Sequence, residues 1–199
     1  MAKILEPFIL SFIPIFVAVD AIGNIPVFIS IAEGAGVKQR HKIIIDSVTT
    51  ATGMAILFML AGKWVLNLLN ITISDFQIAG GILLFVIAAR LLLPGAQKTV
   101  LTDGRGREAG IFPLGTPLIT GPAVLTTTLM MLDSFGIVPT FVSLILNMLI
   151  VWVSLARADA IMKLAGAAGT RAFSKVMFIL LAAIAVMMVR RGITGAFLK

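Results

Sequence analysis

The chain reads as an all-α polytopic membrane protein, with six transmembrane segments forming two inverted three-helix repeats and the first and fourth segments broken. Three observations lead there. Of its 199 residues, 59% are hydrophobic and 13% charged, at a mean hydropathy of +1.10; soluble domains average about 45–50% apolar and about 25% charged. The apolar residues gather into six stretches near the ~20 residues that span a bilayer. Two of these stretches, in equivalent places, are interrupted by glycine, proline and polar side chains.

The first segment runs from about Pro7 to Ala32 and holds Asp20, Gly23, Asn24 and Pro26 within seven positions. An ionised Asp at the centre of a spanning helix costs about 2.5–3.5 kcal/mol on an insertion scale. A proline in a helix interior costs about 3 kcal/mol through a lost hydrogen bond and a clash with the preceding turn. Both at membrane depth predict a broken helix, with Gly23 letting the backbone turn and Pro26 starting a new helical half. The second segment runs from about Ile43 to Leu69, with Lys63 and Trp64 near the interface. The third runs from about Phe76 to Leu93, closed by Pro94 and Gly95.

A polar linker from Gln97 to Glu108 follows, and the second half begins. The fourth segment, about Gly110 to Leu132, carries Pro113, Gly115, Pro117, Gly121 and Pro122. The fifth runs from about Ile137 to Ala156, and the sixth from about Lys175 to Ile193. This predicts one membrane domain over 1–199, with repeats at about 7–94 and 110–194 joined by a linker at 95–109. Sliding one half by 96 positions lays Pro26 on Pro122 and Asn24 on Thr120. An odd number of spans per half forces opposite topologies on the two halves. Paired interrupted segments in inverted halves point to a solute site of a secondary transporter at the bilayer midplane.

Lys and Arg set the orientation. The gaps between segments 1–2, 3–4 and 5–6 hold eleven of them, from Lys38 to Lys175, against five on the other face: Lys3, Lys63, Arg190, Arg191 and Lys199. The positive-inside rule places the three basic gaps in the cytoplasm and both termini outside. The net charge of +7 is therefore an orientation signal rather than the footprint of nucleic acid. The stretch from Phe8 is too long and too interrupted to read as a cleaved signal peptide.

Several chemistries lack their residues. With no cysteine there is no disulfide and no thiolate site. His41, the only histidine, lies in a basic cytoplasmic loop beside Lys42 and makes no metal cluster alone. No zinc-helix, nucleophile-elbow or phosphate-loop motif occurs, so no enzyme, metal or cofactor is expected, and an ion gradient would drive any transport. Asp20 and Asp46 make an unconvincing protease dyad, lying on different helices at different depths.

The candidate solute-binding residues are Asp20, Gly23, Asn24 and Pro26, facing Thr116, Thr120, Gly121, Pro122 and Thr126. Half-helix N-termini offer N–H donors to a carboxylate, while carbonyls or Asp20 suit an ammonium. Glycine, proline, threonine and alanine leave little room for a side chain, which fits a small zwitterion. Asp20 is the candidate for ion coupling, with Asp46 second; a plainer role for Asp46 is pairing with Lys42 at the interface. Asn147, central in the fifth segment, either bridges helices or joins the site. Thr49, Thr50, Thr52, Thr126, Thr127 and Thr128 are expected to bond back to their own helix carbonyls or to join neighbouring helices, and Ala79, Gly80 and Gly81 to form a close packing face. Two rivals use the same scaffold: an exporter of drugs or metabolites, and a non-transporting membrane scaffold.

Three motifs in order, Asp20 to Phe28, Ala79 to Leu84 and Pro113 to Pro122, resemble the MarC family over essentially the whole chain. These are six-span prokaryotic inner-membrane proteins that include small neutral amino acid transporters of the SnatA type. The family usually has proline after the aspartate, where this chain has Ala21. The resemblance implies transport of glycine, alanine and similar solutes, coupled to protons or sodium. The orientation yields a first prediction. A C-terminal reporter that works only outside the cytoplasm should be active, and one that works only in the cytoplasm silent; the reverse pattern would overturn the topology.

Overall fold

The computed structural model describes residues 2–32, 34–93 and 110–197, so the expected linker at 95–109 lies outside the described residues. Among the described residues the regular structure is entirely helical. The first segment is two helices, α1 (Ala2–Val19) and α2 (Asn24–Ile31), bent by 42°. Then come α3 (Val37–Leu68) and α4 (Ile73–Leu92). The fourth segment is again a bent pair, α5 (Gly110–Ile119) and α6 (Pro122–Phe135), meeting at 49°. The chain ends in α7 (Ile137–Ala156) and α8 (Ala158–Phe197). Four stretches are long and apolar enough to cross a membrane, Val37–Leu68, Ile73–Leu92, Ile137–Ala156 and Ser174–Phe197; counting each bent pair as one span gives six.

Two boundaries differ from the hydropathy reading. Lys38, Arg40, His41 and Lys42 are not in a loop but in the first turns of α3. The expected gap before the sixth segment is likewise helical backbone within the 40-residue α8. Hydropathy marks where hydrocarbon ends, while helical hydrogen bonding continues into water where charged side chains are solvated. At α4 the start is instead fixed locally. Thr72 Oγ1 accepts from the Asp75 N–H at 3.1 Å and the Asp75 carboxylate accepts from the Thr72 N–H at 2.9 Å, a reciprocal cap of the first turn.

The exterior suits lipid. No more than 33% of any of the four spanning windows is buried, and Val17, Leu57, Leu60, Leu83, Phe85 and Leu149 face outward. Trp64 and Trp152, toward opposite ends of the helix pair α3 and α7, are exposed, as aromatic residues are at a membrane interface. Several buried or half-buried hydroxyls return to their own helix as the sequence predicts: Thr52 to Val48 O at 2.6 Å, Thr126 to Pro122 O at 2.8 Å and Thr128 to Val124 O at 2.7 Å.

Glycine governs the closest packing. The antiparallel helices α4 and α8 share the most extensive interface in the molecule. A Cβ on Gly81 would lie 2.8 Å from the Ala185 carbonyl oxygen, and one on Gly192 would lie 2.7 Å from that of Ser74. The remaining contacts fall into matched sets. α3 packs on α5 as α7 packs on α1, and α4 packs on α6 as α8 packs on α2. The 96-residue offset also lays Ile44, Ser47, Ala55 and Met59 of α3 on Thr140, Ser143, Val151 and Leu155 of α7, all of them buried. In membranes, small residues such as Gly81 and Gly192 let helices associate by close van der Waals contact.

A packing prediction follows. Gly81→Val should destabilise the protein by about 1–3 kcal/mol, the usual cost of overpacking. Gly53→Ala, where a Cβ meets nothing within 4 Å, should be neutral or stabilise by up to about 1 kcal/mol. Thermal unfolding in detergent distinguishes them; equal midpoints would refute the packing role of Gly81.

Candidate functional site

The first break turns at Asp20. Its backbone is left-handed, φ 47°, a conformation that a short polar side chain tolerates better than an apolar one. Gly23, expected to supply the turn, is instead right-handed at φ −64°. A Cβ there would lie 2.1 Å from Asp20 Oδ2, so a side chain at this position would displace the carboxylate. The Gly23 N–H donates to Asp20 Oδ1 at 3.1 Å. Asn24 Nδ2 donates to Val19 O at 2.9 Å and to Asp20 O at 3.0 Å. One buried amide thus reaches two of the carbonyls at the end of α1.

The second break is built differently. Pro113 and Pro117 lie inside α5, where each removes a helical donor. The segment adopts the wider π-type helix, in which the Thr120 N–H donates to Gly115 O, five residues back, at 3.1 Å. The Thr116–Pro117 peptide bond is cis. Thr120 Oγ1 donates across to Ala51 O of α3 at 2.9 Å, tying the break to its neighbour. Gly121 is extended, and a Cβ on it would lie 2.2 Å from Pro117 O. Pro122 opens α6 with its ring against Gly80, where a Cβ would come within 1.8 Å of it. No side chain caps α6, so the first-turn N–H groups of Ala123 and Val124 point out of that end towards the break.

The two breaks meet at one cavity of about 30 Å³, room for one or two water molecules. Asp20, Gly23 and Asn24 line it from the first break, and Pro117, Gly121 and Pro122 from the second. Leu84 of α4 and Leu181, Ile184 and Met188 of α8 form an apolar wall. Asp20 is the only ionisable group among the lining residues.

Five of the residues read from sequence therefore share this cavity: Asp20, Gly23, Asn24, Gly121 and Pro122. The others do not line it. Pro26 is buried within α2. Thr116 precedes the lining residue Pro117, and its buried hydroxyl has no hydrogen-bond partner. Thr120 is committed to α3 and Thr126 to its own helix. Asp46 is half-buried on α3, outside the cavity lining, and among the described residues it forms no ion pair with Lys42. Asn147 bridges helices, its Nδ2 donating to Phe12 O at 3.3 Å and to Ser143 O at 2.8 Å, while its Oδ1 is buried without a partner. Ser143 makes a second bridge to α1, Oγ to Phe8 O at 3.1 Å. Sequence reasoning passed over it, although Ser47 and Ser143 stand 96 positions apart. It also missed the wall of α4 and α8, whose residues carry no polar signal.

Comparison with known proteins agrees over the whole length. The model of the MarC family, described as integral membrane proteins, matches residues 5–197. A UPF0056 membrane protein of Methanocaldococcus jannaschii is 32% identical, the match covering 98% of this chain and 99% of the relative. A UPF0056 membrane protein of Pyrococcus abyssi is 27% identical over 99% of each chain. The UPF0056 inner membrane protein YhgN of Escherichia coli is 30% identical over 87% of this chain and 89% of the relative. No solved structure matches.

Asn24→Leu should cost about 1–3 kcal/mol, because carbonyls at the end of α1 lose their buried donor. Asn147→Leu should cost less, since it also removes the unpartnered Oδ1. Detergent melting of both variants checks the order; an Asn24→Leu midpoint equal to the parent's would show that Asn24 does not hold the break.

Proposed function

We propose that this chain, which belongs to the MarC family of integral membrane proteins, is a secondary transporter of small neutral amino acids such as glycine and alanine, driven by a proton or sodium gradient. The observation that carries the reading is that both helix breaks line a single cavity. A break in lipid is tolerated where its backbone is buried in protein or lines a wet space, and paired breaks in inverted halves are the construction of a midplane solute site.

In this reading the two halves are inverted repeats, supported by their matched contacts and matched buried positions. A zwitterion has complementary groups on both sides. Its ammonium faces the Asp20 carboxylate, and its carboxylate faces the uncapped N-terminus of α6, where the N–H groups of Ala123 and Val124 and the helix dipole favour an anion. Leu84 and Met188 limit the side chain to a hydrogen or a methyl. A cavity of about 30 Å³ is smaller than any amino acid, so loading requires the halves to separate, as alternating access demands. Membership of a family with an inner-membrane relative and the lysine and arginine distribution support an inner-membrane protein with both termini outside. No part of this reading requires an enzyme activity.

The test is uptake of labelled glycine and alanine into proteoliposomes under an imposed proton or sodium gradient. Gradient-dependent accumulation is expected. In the same assay Asp20→Asn should reduce the rate at least about tenfold, equivalent to about 1.4 kcal/mol, or flatten its pH dependence while leaving the melting temperature near the parent's. Absence of accumulation for every small neutral amino acid under either gradient would sink the reading.

A further inference from the structure

Among the described residues two ion pairs join the halves of the molecule, and neither belongs to the cavity. Arg40, in the first turns of α3, donates through Nη1 to Asp159 Oδ1 at the start of α8, at 2.6 Å. Its Nε donates to Ala35 O at 3.2 Å, which aims the guanidinium. Lys63, near the other end of α3, pairs with Asp133 near the end of α6. Each pair has one member in the first half and one in the second. Arg40 and Lys63 stand 23 residues apart towards opposite ends of α3, about 35 Å at 1.5 Å per residue, a separation comparable with the ~30 Å hydrocarbon thickness of a bilayer.

The internal repeat relates the two pairs. The offset that lays Pro26 on Pro122 lays Lys63 on Asp159, and it lays Val37, one helical turn before Arg40, on Asp133. Lys63 and Asp159 are thus equivalent positions, while Arg40 stands one helical turn beyond the equivalent of Asp133, so the two pairs correspond to within a turn with the signs of the charges exchanged. Inverted halves that rock about a central site open one mouth while closing the other. A bond between halves at one mouth must break when that mouth opens. Here both pairs are formed and the cavity between the breaks has room only for water.

The geometry points to Arg40–Asp159 and Lys63–Asp133 as two equivalent latches, one for each mouth of the solute site, both closed in this structure. The inference rests on the transporter reading. Both pairs are partly exposed, and exposed pairs are weak, which suits a latch that must open in every cycle. Breaking one latch shifts the population towards the conformation open at that face and leaves the other face closed.

Because the chain contains no cysteine, it is already a background for accessibility labelling. Ala18, half-buried at the cavity edge on α1, is replaced by cysteine. A membrane-impermeant maleimide is then applied to right-side-out and to inside-out vesicles. Lys63→Gln should speed labelling about two- to fivefold from one face only, the scale an exposed ion pair sets. Asp159→Asn should do so from the opposite face only. The exchanged pair, Lys63→Asp with Asp133→Lys, should return labelling to the parent rate. Unchanged labelling in both variants, acceleration from the same face, or acceleration from both faces at once would overturn the latches. The assay uses no solute, so its failure and the failure of the uptake assay are separate results.

Discussion

Everything in this structure depends on one constraint: in lipid, a backbone N–H or C=O released by a helix break has no water to turn to. The chain breaks two helices and then accounts for the released groups by different means. At the first break one side-chain amide, Asn24, donates to Val19 O and Asp20 O, while the Asp20 carboxylate accepts from Gly23. At the second, a wide helix absorbs two prolines and Thr120 donates outside its own segment to Ala51 O. What is left is the uncapped start of α6. The asymmetry matters for function. The first arm brings a carboxylate and the second brings bare N–H groups, so the space between them is complementary to a molecule with one charge of each sign.

The packing that brings the two arms together is steric rather than polar. Gly80 lets the Pro122 ring lie directly on α4, and Gly81 lets α8 lie on α4 with almost no space between backbones. These glycines position the second break and also set the apolar wall, because Leu84 and Met188 face the cavity from the same interface. Under the proposed function, fold and selectivity share residues. A substitution that loosens the α4–α8 contact changes the size of the space the solute would occupy.

Much of this was legible in the residues. Four of the apolar stretches appear as helices long enough to span a membrane and the two interrupted ones as bent pairs, while Thr49, Thr52, Thr126 and Thr128 bond back to their own helices; these are signals of composition and spacing. Five of the named site residues share the cavity. What could not be read was conformation and partnership. Nothing in the sequence distinguishes a left-handed Asp20 from a left-handed Gly23, since either residue type tolerates the turn. Thr116 and Thr120 looked alike as polar residues in a break; only the packing of α5 on α3 commits one hydroxyl to Ala51 and leaves the other unpartnered. Helix ends were misplaced wherever charge was taken as the end of a helix, as at Lys38 to Lys42, because charge ends the hydrocarbon span and not the hydrogen-bonded ladder. Leu84 and Met188 carry no polar signal, so a cavity wall and an ordinary packing face look the same in sequence.

The account rests on the two breaks forming one solute site. The most direct measurement is an experimental structure of the protein in a bilayer mimic with saturating alanine. The account predicts solute density between the Asp20 carboxylate and the Ala123 and Val124 amides, in a cavity enlarged from its present ~30 Å³. Density absent there, with the two breaks packed dry against each other under saturating alanine, would contradict it.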